Sequence, residues 1–434
     1  MLADSDTRWK WGALTAYRIQ SDIRLDGYLL RGRATPTVRQ LDEVGARADS
    51  LREIRGVDFV RSVDRTRYDV IVLACVGGAV QAMLHGLARA WQSGTPDAAT
   101  GQHRPVVVTG YVGVVYEKLA DGLLLRHGAD VVLANSRHDA DRFREVYRGV
   151  GADDHSVVEC ALPFLGGARY TGEHAPYTVV FAAQPSVPES RADRTYLLRR
   201  AVEHARTHPD REVLIKLRSK PGEHTTHIEE LPYQKLAAKA PGGLPANCRL
   251  VYGNMGEVLD RTDLMVTVSS TAALESLHRG IPTAVLTDLG VREALGNHHF
   301  LGSGCLASWD ELDAGHRPEP DREWLARQGV AAEGEYERAF DAARARVTVL
   351  REAGLLPPLA PYYTPRTAPG YLPGILARHG LDPHGEPLAG YDAAPEETGG
   401  LRRVARETVR EAARGAYRHG VQRVAPAIRR WGQL

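Results

Sequence analysis

Residues 263–290 constrain the fold of this 434-residue chain more than any other part of the sequence. Residues 263–268 form a short apolar run and residues 272–279 have helical composition, which predicts a strand followed by a helix. Gly280 and Pro282 end that helix, and residues 283–286 form a second buried strand. The segment therefore predicts one strand, turn, helix and strand of an α/β fold.

The turn of this segment contains Ser269, Ser270 and Thr271. Hydroxyl groups and free backbone N–H groups at a helix N-terminus suit a phosphate, because the helix dipole and the unpaired donors attract the same anion. The turn is therefore a candidate phosphate site. The alternative is an ordinary Ser/Thr N-cap, which any such segment can have.

The composition limits the class of protein. With 43% hydrophobic and 25% charged residues, the chain is expected to bury a large core and to form two domains or slightly more. With a net charge of +1, the chain has no large excess of positive charge that would attract nucleic acid. The four cysteines are far apart and form no CxxC pattern, which argues against a structural metal and indicates a reducing compartment. No signal peptide and no apolar stretch of about 18 residues is recognisable, so we expect a cytoplasmic protein without a membrane span.

The first half of the chain alternates predicted strands and helices. Strands are expected at residues 2–3, 68–73, 105–108 and 130–134, and helices at residues 38–54, from the Gly77-Gly78 turn to Trp91, and at 116–126. This alternation predicts a parallel sheet with helices on both faces. Ligands of such sheets bind beyond the carboxyl ends of the strands. This rule selects Asp4, Gly110, Tyr111, Gly113 and His138, which are the candidate residues for binding an acceptor substrate.

The alternation restarts after a Pro- and Gly-containing hinge at residues 166–177. Strands are predicted at residues 178–182, 213–217 and 249–252, with a helix at 191–207, before the segment at 263–290. Two doubly wound Rossmann-like domains in tandem, residues 1–165 and 178–330, describe a GT-B architecture with a cleft between the domains.

The second half resembles the donor domain of bacterial glycan-polymer transferases of GT-B type, namely polysialyltransferase-like capsular enzymes and, more distantly, CDP-glycerol glycerophosphotransferases. The matching residues are Gln184-Pro185-Ser186, Ile215-Lys216-Leu217-Arg218, Val268-Ser269-Ser270-Thr271-Ala272, Glu275, Gly280 and Pro282. The chain also resembles a group of uncharacterised glycosyltransferases through Asp4-Ser5-Asp6, Lys10-Trp11-Gly12, Asn297, Phe300 and Gly302-Ser303-Gly304. In the first families a His-Pro pair follows the lysine strand and contacts the cytidine nucleotide. Leu217-Arg218 stands there in this chain, which leaves the nucleotide open.

The resemblance implies a glycosyltransferase that uses a nucleotide-activated sugar. A leaving nucleotide phosphate develops negative charge, and a site without metal must meet it with hydroxyl groups, backbone N–H groups and cations. The candidate donor-binding residues are Ser269, Ser270, Thr271, Lys216, Arg218, Gln184, Gly253, Glu275 and Asp288. A CMP-activated nonulosonic acid of the sialic type is the favoured donor. The alternatives are a UDP-sugar transferase, a CDP-polyol phosphotransferase, a UDP-sugar 2-epimerase, or a non-catalytic scaffold at the membrane.

An inverting transferase needs a proton acceptor for the acceptor hydroxyl, and we expect it on the first domain. Glu117 follows the loop after the strand at 105–108 and is the first candidate, Asp6 is the second and His138 is the third. A helix-capping or surface role is the alternative for each of them.

The alternation of predicted strands and helices ends after residue 320. Residues 331–354 are expected to form a helix that returns to the first domain, and residues 355–400 are a Pro/Gly-rich linker or an irregular wrap. Residues 401–434 have apolar residues at helical spacing among many arginines. This basic amphipathic tail suits an anionic membrane surface, which would hold a peripheral enzyme beside a lipid-linked acceptor at the inner face of the cell membrane. A helix docked on the body and a solvated tail are the alternatives.

Overall fold

A computed structural model of the chain describes residues 1–32, 34–92, 103–114, 119–220, 223, 229, 231–330 and 335–390. These residues form two compact units. The first unit comprises Met1–Phe164 and the described residues from Ala326 onward, and the second comprises Leu165–Leu325. Residues 166–177, for which the sequence suggested a hinge, thus belong to the second unit.

The first unit is built around a parallel sheet. Its strands, within the described residues, are β1 (Leu2–Ala3), β2 (Asp26–Leu30), β3 (Ser50–Ile54), β4 (Val70–Ala74), β5 (Val106–Gly110), β6 (Val131–Ala134) and β7 (Val157–Glu159). Their order is β3-β2-β1-β4-β5-β6-β7, and all neighbouring pairs are parallel. The chain adds β2 and β3 on one side of β1 and all later strands on the other. The boundary between β1 and β4 is therefore the topological switch point of this sheet.

Helices connect these strands and cover the sheet. They are α1 (Asp6–Ile19), α2 (Val38–Val44), α3 (Gly56–Ser62), α4 (Gly77–Gln92), α5 (Leu119–Leu124) and α6 (Arg137–Gly149). The N-cap of α1 is Ser5, whose hydroxyl accepts a hydrogen bond from the backbone N–H of Arg8. A Cβ on Gly12 would lie 2.5 Å from Sδ of Met1, so the close packing of α1 on the sheet requires glycine at this position.

The prediction of one helix over residues 38–54 is wrong. The helix α2 ends at Val44, and Gly45 follows with a left-handed φ of 68°. Such a conformation is favourable for glycine and ends helices. Residues Ser50–Ile54 then form β3, which pairs in parallel with β2 at the edge of the sheet. The strand β2 itself was not predicted.

The second unit has the same plan. Its strands are β8 (Tyr177–Ala182), β9 (Arg211–Lys216), β10 (Cys248–Val251), β11 (Leu264–Thr267), β12 (Thr283–Leu286) and β13 (Leu306–Ala307). Its helices are α7 (Arg191–Thr207), α8 (Tyr233–Ala237), α9 (Met255–Leu259), α10 (Ala272–His278) and α11 (Trp309–Asp313), and α12 (Arg322–Arg327) contains the boundary to the first unit. The parallel strand order β10-β9-β8-β11-β12-β13 has its switch point between β8 and β11. The strand, helix and strand predicted at 263–290 are confirmed as β11, α10 and β12.

The chain then continues on the first unit. Helix α13 (Asp341–Glu352) packs against α1 and the sheet, and α14 (Leu372–Ala377) packs against α4. The sequence predicted a linker or an irregular wrap over residues 355–400, of which residues 355–390 are described. Four leucines of this segment lie in the hydrophobic core of the first unit: Leu359, Leu372, Leu376 and Leu381. We call residues 355–390 the wrap segment.

Among the described residues, no helix is both long enough and apolar enough to cross a membrane. All four cysteines are buried, and none of them forms a disulfide. The predicted basic amphipathic tail at 401–434 lies outside the described residues.

Candidate functional site

The switch point of the second sheet joins two predicted donor-binding residues. Gln184 follows β8 and Ser269 follows β11, and these strands are neighbours. The backbone N–H of Ser269 donates to Oε1 of Gln184 at 3.0 Å, and Nε2 of Gln184 donates to Oγ of Ser269 at 3.2 Å. The two strand ends are thus tied by side-chain hydrogen bonds at the place where ligands of such sheets bind.

Ser269 is buried, with 1% of its surface exposed. Its hydroxyl donates to the carbonyl oxygen of Leu295 at 2.5 Å. Both the N–H and the hydroxyl of Ser269 therefore form hydrogen bonds within the protein, so this residue holds the shape of the turn.

The next two residues of the turn are partly exposed. The N–H of Ser270 donates to Oγ1 of Thr267 at 3.2 Å, and its hydroxyl accepts from the N–H of Ala272 at 3.2 Å. An accepting hydroxyl keeps its own proton for another partner. Within the described part of the chain, neither the N–H nor the hydroxyl of Thr271 donates a hydrogen bond. The donors of the turn that remain for an anion are therefore the hydroxyl of Ser270 and the N–H and hydroxyl of Thr271.

Two cations lie at the same edge of the sheet. Lys216 ends β9, next to β8, and is 6% exposed, with Nζ donating to the carbonyl oxygen of Leu217 at 2.8 Å. Arg218 follows two residues later and is partly exposed. The carboxyl ends of β9, β8 and β11 thus present positive charge and hydroxyl donors side by side.

The other predicted donor-side residues differ in their surroundings. Asp288, after β12, accepts hydrogen bonds from the hydroxyl of Tyr196 at 2.9 Å and from the N–H of Trp309 at 3.1 Å. Glu275 lies buried in the first turn of α10. Gly253 follows β10 with φ of 100°, a conformation that favours glycine. The structure thus gives Asp288 a role in fixing α11 against the sheet.

Arg194 on α7 holds the loop after β8. Its guanidinium group is buried, and NH1 donates to the carbonyl oxygens of Gln184, Pro185 and Pro188 at 3.1, 3.1 and 3.3 Å. NH2 donates to Oε1 of Glu229 at 2.8 Å. Arg194 was not among the candidate donor-binding residues that the sequence suggested. Its burial follows from tertiary contacts that helical periodicity does not reveal.

Asp4 occupies the equivalent switch point of the first sheet. It follows β1, and its Oδ2 accepts from the N–H of Val76, which follows β4, at 2.9 Å. Its Oδ1 accepts from NH1 of Arg8 at 2.9 Å. Each unit therefore has a side chain that bridges the two strands of its switch point.

The structure describes two of the three candidates for the proton acceptor. Asp6 is buried in the first turn of α1 and accepts from the hydroxyl of Thr7 at 3.3 Å. His138 lies in the first turn of α6, and burial, with Arg142 and Arg327 nearby, lowers its pKa. Glu117 lies outside the described residues.

The loop after β5 is shaped by close packing. A Cβ on Gly110 would lie 2.8 Å from the carbonyl oxygen of Leu133 and 2.8 Å from the Trp11 ring, so glycine is required. The carbonyl oxygen of Tyr111 accepts from Nδ2 of Asn135 at 2.6 Å. Gly113 is partly exposed in the bend that follows.

Arg126 was missed by sequence reasoning. Its guanidinium group is buried and donates to the carbonyl oxygens of Gly110, Gly122 and Cys75 at 3.0, 2.7 and 3.2 Å, and it lies 4.0 Å from the centre of the Tyr111 ring. Burial lowers its pKa. The arginine connects the ends of β4 and β5, and its only sequence signal is its position after the apolar run at residues 123–125.

Two groups of described side chains have atoms close enough to hold a metal ion: His204, His208 and Asp313, and Asp153, Asp154 and His155. His204 is hydrogen-bonded on both sides, through Nδ1 to Asp313 at 2.5 Å and through Nε2 to Arg211 at 3.3 Å. His204 and His208 precede β9, and residues 153–155 precede β7. Both groups thus lie toward the amino ends of the strands, away from the carboxyl-end candidates.

The two Rossmann-like α/β units in tandem place this protein in the GT-B fold class. The family described as "Putative glycosyltransferase (DUF6716)" matches residues 1–349, and the chain belongs to this family. No curated protein matches the chain.

Solved structures with a similar fold have low sequence identity. The S. aureus MnaA–UDP structure has 12% identity and a TM-score of 0.49, with 80% of this chain and 94% of that chain covered. The Anabaena Alr3699/HepE structure in complex with UDP-glucose has 10% identity and a TM-score of 0.41, with 87% and 96% covered. The glycotransferase of kitacinnamycin has 14% identity and a TM-score of 0.42, with 81% and 96% covered.

Proposed function

We propose that this protein is a glycosyltransferase whose second unit binds a nucleotide-activated sugar at the switch point between β8 and β11. The observation that supports this most strongly is that Lys216, Ser270 and Thr271 all lie at the carboxyl edge of the second sheet, at the ends of β9 and β11, which flank β8. Membership of a family described as glycosyltransferases supports the same activity.

The chemistry of the leaving group fits these side chains. A departing nucleotide gains negative charge on its phosphate, and preorganised donors and cations stabilise that charge in the transition state. We assign the hydroxyl groups of Ser270 and Thr271 and the ammonium group of Lys216 to this task, without metal. Gln184 and Ser269 hold the turn in which these donors lie. Arg218, Gly253 and Glu275 remain candidates for contacts with the rest of the donor.

The favoured donor is a CMP-activated nonulosonic acid of the sialic type, transferred with inversion. This preference rests on the sequence likeness at residues 184–186, 215–218 and 268–272. The acceptor would be a cell-surface glycopolymer or its lipid-linked precursor, which residues 401–434 would approach at an anionic membrane. A UDP-sugar transferase, a CDP-polyol phosphotransferase, a UDP-sugar 2-epimerase and a scaffold are the alternatives.

Thermal unfolding of the purified protein with CMP, CDP, UDP or GDP tests this proposal. A nucleotide at about 100 times its Kd should stabilise the folded state by roughly 2.7 kcal/mol. A shift with CMP alone supports the nonulosonic acid donor, whereas a larger shift with UDP or CDP supports an alternative donor on the same unit. If no nucleotide raises the unfolding temperature, a scaffold replaces the enzyme as the better explanation.

A further inference from the structure

Two histidines at the end of α7 lie on the same face of this helix. His204 is in its last turn, and His208, the C-cap, donates through its backbone N–H to the carbonyl oxygen of His204 at 3.0 Å. Side chains four residues apart on a helix are neighbours, and the centres of the two imidazole rings lie 4.6 Å apart. The same spacing lets two histidines of one helix bind a single zinc ion in helical metal sites.

Asp313, the last residue of α11, adds a carboxylate to this pair. Its Oδ1 lies 2.5 Å from Nδ1 of His204, which is completely buried. One ligand atom from each of the three residues lies within 4.8 Å of the other two. Ligand atoms of a tetrahedral zinc ion, at about 2.0–2.2 Å from the metal, are roughly 3.4 Å apart, so side-chain shifts of about 1 Å close this group around an ion.

The orientation of the His204 ring is fixed by its neighbours. Its centre lies 5.5 Å from that of the Trp309 ring. Because NH1 of Arg211 is a donor and lies 3.3 Å from Nε2, the ring proton is on Nδ1 and faces Asp313. A metal ion bound at Nδ1 moves the ring proton to Nε2, and Arg211 has to turn away from it. Arg211 also lies 4.9 Å from the centre of the Tyr177 ring, so it keeps a partner.

The third donor atom is Nε2 of His208. This atom is buried and, within the described part of the chain, has no hydrogen-bond partner, which is uncommon for a buried polar atom. The second carboxylate oxygen of Asp313 accepts from NH2 of Arg200 at 2.9 Å, and NH2 also lies 2.7 Å from Oδ1 of Asp310. Carboxylates that bind metals are usually held by such an outer hydrogen bond.

We propose that His204, His208 and Asp313 bind a divalent transition-metal ion, and that Zn²⁺ suits two imidazoles and one carboxylate best. Nδ1 of His204, Nε2 of His208 and Oδ1 of Asp313 are the ligand atoms, and solvent completes the site beside the partly exposed carboxylate. The ion joins α7 to α11 and stabilises the second unit.

This metal site is separate from the proposed nucleotide site, because both histidines precede β9 and so lie toward the amino ends of the strands. The metal therefore has a structural role, and the proposed function does not depend on it. The sequence showed no ligand pattern here, because His204 and Asp313 are 109 positions apart in the chain.

Zinc titration of the untagged full chain, freed of metal with a chelator, tests the proposal. Isothermal titration should show a site with a Kd of about 1 μM or lower, and Zn²⁺ should raise the unfolding temperature. His208→Ala should raise the Kd by about 100-fold or more, because even residues that only support a metal ligand contribute 10- to 100-fold. Without metal, this variant should unfold at nearly the same temperature as wild type, since Nε2 of His208 has no hydrogen bond to lose.

His155→Ala is the matched control. Asp153, Asp154 and His155 form the other described group whose ligand atoms lie this close together, but two of these three residues are exposed. The control should keep the wild-type Kd and the visible absorption of bound Co²⁺, whereas His208→Ala should lose that absorption.

A wild-type protein without a site of this affinity overturns the proposal, and so does a Kd that His208→Ala leaves unchanged. Binding that is lost in His155→Ala alone overturns it as well, since the ion then belongs to the exposed group. The thermal shift of the metal-free protein with nucleotides tests the proposed function separately, so the two failures are distinguishable.

Discussion

Gln184 and Ser269 form two hydrogen bonds with each other, at 3.0 and 3.2 Å. The bonds join the carboxyl ends of β8 and β11, the two strands of the switch point in the second sheet. The residues are 85 positions apart in the chain. Their contact ties the carboxyl ends of β8 and β11 together, and Ser270 and Thr271, the next two residues of the turn, are partly exposed. Because Ser269 is buried and uses its donors within this pair and toward Leu295, the pair contributes to the shape of a site more than to direct contact with a ligand.

Ser269→Ala should therefore lower the stability of the second unit. The substitution leaves Nε2 of Gln184 and the carbonyl oxygen of Leu295 without this partner, which costs about 1–3 kcal/mol for buried polar groups. Urea unfolding of both proteins measures the loss. Ser186→Ala, a partly exposed serine in the loop after β8, is the control and should change the free energy of unfolding by no more than about 0.5 kcal/mol. Equal effects of the two substitutions would contradict the role assigned to Ser269.

Lys216→Gln should weaken nucleotide binding. A hydrogen bond to a charged group contributes about 1.5–3 kcal/mol, which corresponds to a 10- to 100-fold rise in Kd. Isothermal titration with the nucleotide that gives the largest thermal shift measures this Kd. Lys239→Gln changes an exposed lysine in the same unit and should leave the Kd as it is. Identical affinities of Lys216→Gln and wild type would remove Lys216 from the donor site.

We expect Asp139 to make the stability of the first unit depend on pH. Its carboxyl group lies buried in the first turn of α6, where burial raises the pKa to about 6. The folded protein then holds a proton that the unfolded chain releases near pH 3.8, so stability falls as pH rises from about 4 to about 6. Asp139→Asn should become more stable than wild type over this window, by up to roughly 3 kcal/mol, and the difference should stay constant at higher pH.

Urea midpoints at pH 4.5 and pH 7.5 check the prediction for Asp139. The control is Asp141→Asn, an exposed position on the same helix, for which no such pH dependence is expected. A stability difference between Asp139→Asn and wild type that does not vary with pH would show that the buried carboxyl group does not titrate as proposed.

Asp263→Ala should destabilise residues 166–177 at the start of the second unit. The buried carboxylate accepts from the N–H and Nδ1 of His174 at 2.8 and 2.9 Å, from the N–H of Thr178 at 2.7 Å and from the hydroxyl of Tyr170 at 3.3 Å. Loss of these charged hydrogen bonds should lower the free energy of unfolding by about 3 kcal/mol or more. Limited proteolysis should show faster cleavage within residues 166–177 than in Asp210→Ala, which changes an exposed aspartate. Equal cleavage rates would refute this role.

Removal of residues 391–434 should abolish binding to vesicles that contain phosphatidylglycerol. The tail supplies the arginines and apolar residues expected to bind an anionic surface, and all described residues remain in the shortened chain. Vesicle co-sedimentation measures the binding, with phosphatidylcholine vesicles as the control, and the thermal shift with nucleotide should persist. If the shortened chain sediments with the vesicles as the full chain does, the membrane contact lies elsewhere.

Nine of the strands and their carboxyl ends could be predicted from the sequence because short apolar runs ended by polar turns define them, whereas β2, β3, β7 and β13 were missed. This reasoning led to Asp4 and Ser269, and the family resemblance added Gln184. It did not reveal that Gln184 and Ser269 bind each other, because residues far apart in sequence meet only in the sheet. Arg126 was missed for the same reason. The wrap segment has little periodicity, so its leucines gave no sign of the core that they complete.

The wrap segment also bears on the order in which the chain can fold. The core of the first unit includes Leu359, Leu372, Leu376 and Leu381, which are synthesised only after the whole second unit. N-terminal domains commonly fold first as a chain leaves the ribosome. Here all strands of the second unit, Leu165–Leu325, are synthesised before the residues that complete the core of the first unit. The amino-terminal half of this protein must therefore stay incomplete through most of translation, and a chain shortened before residue 355 would leave an apolar surface of the first unit uncovered.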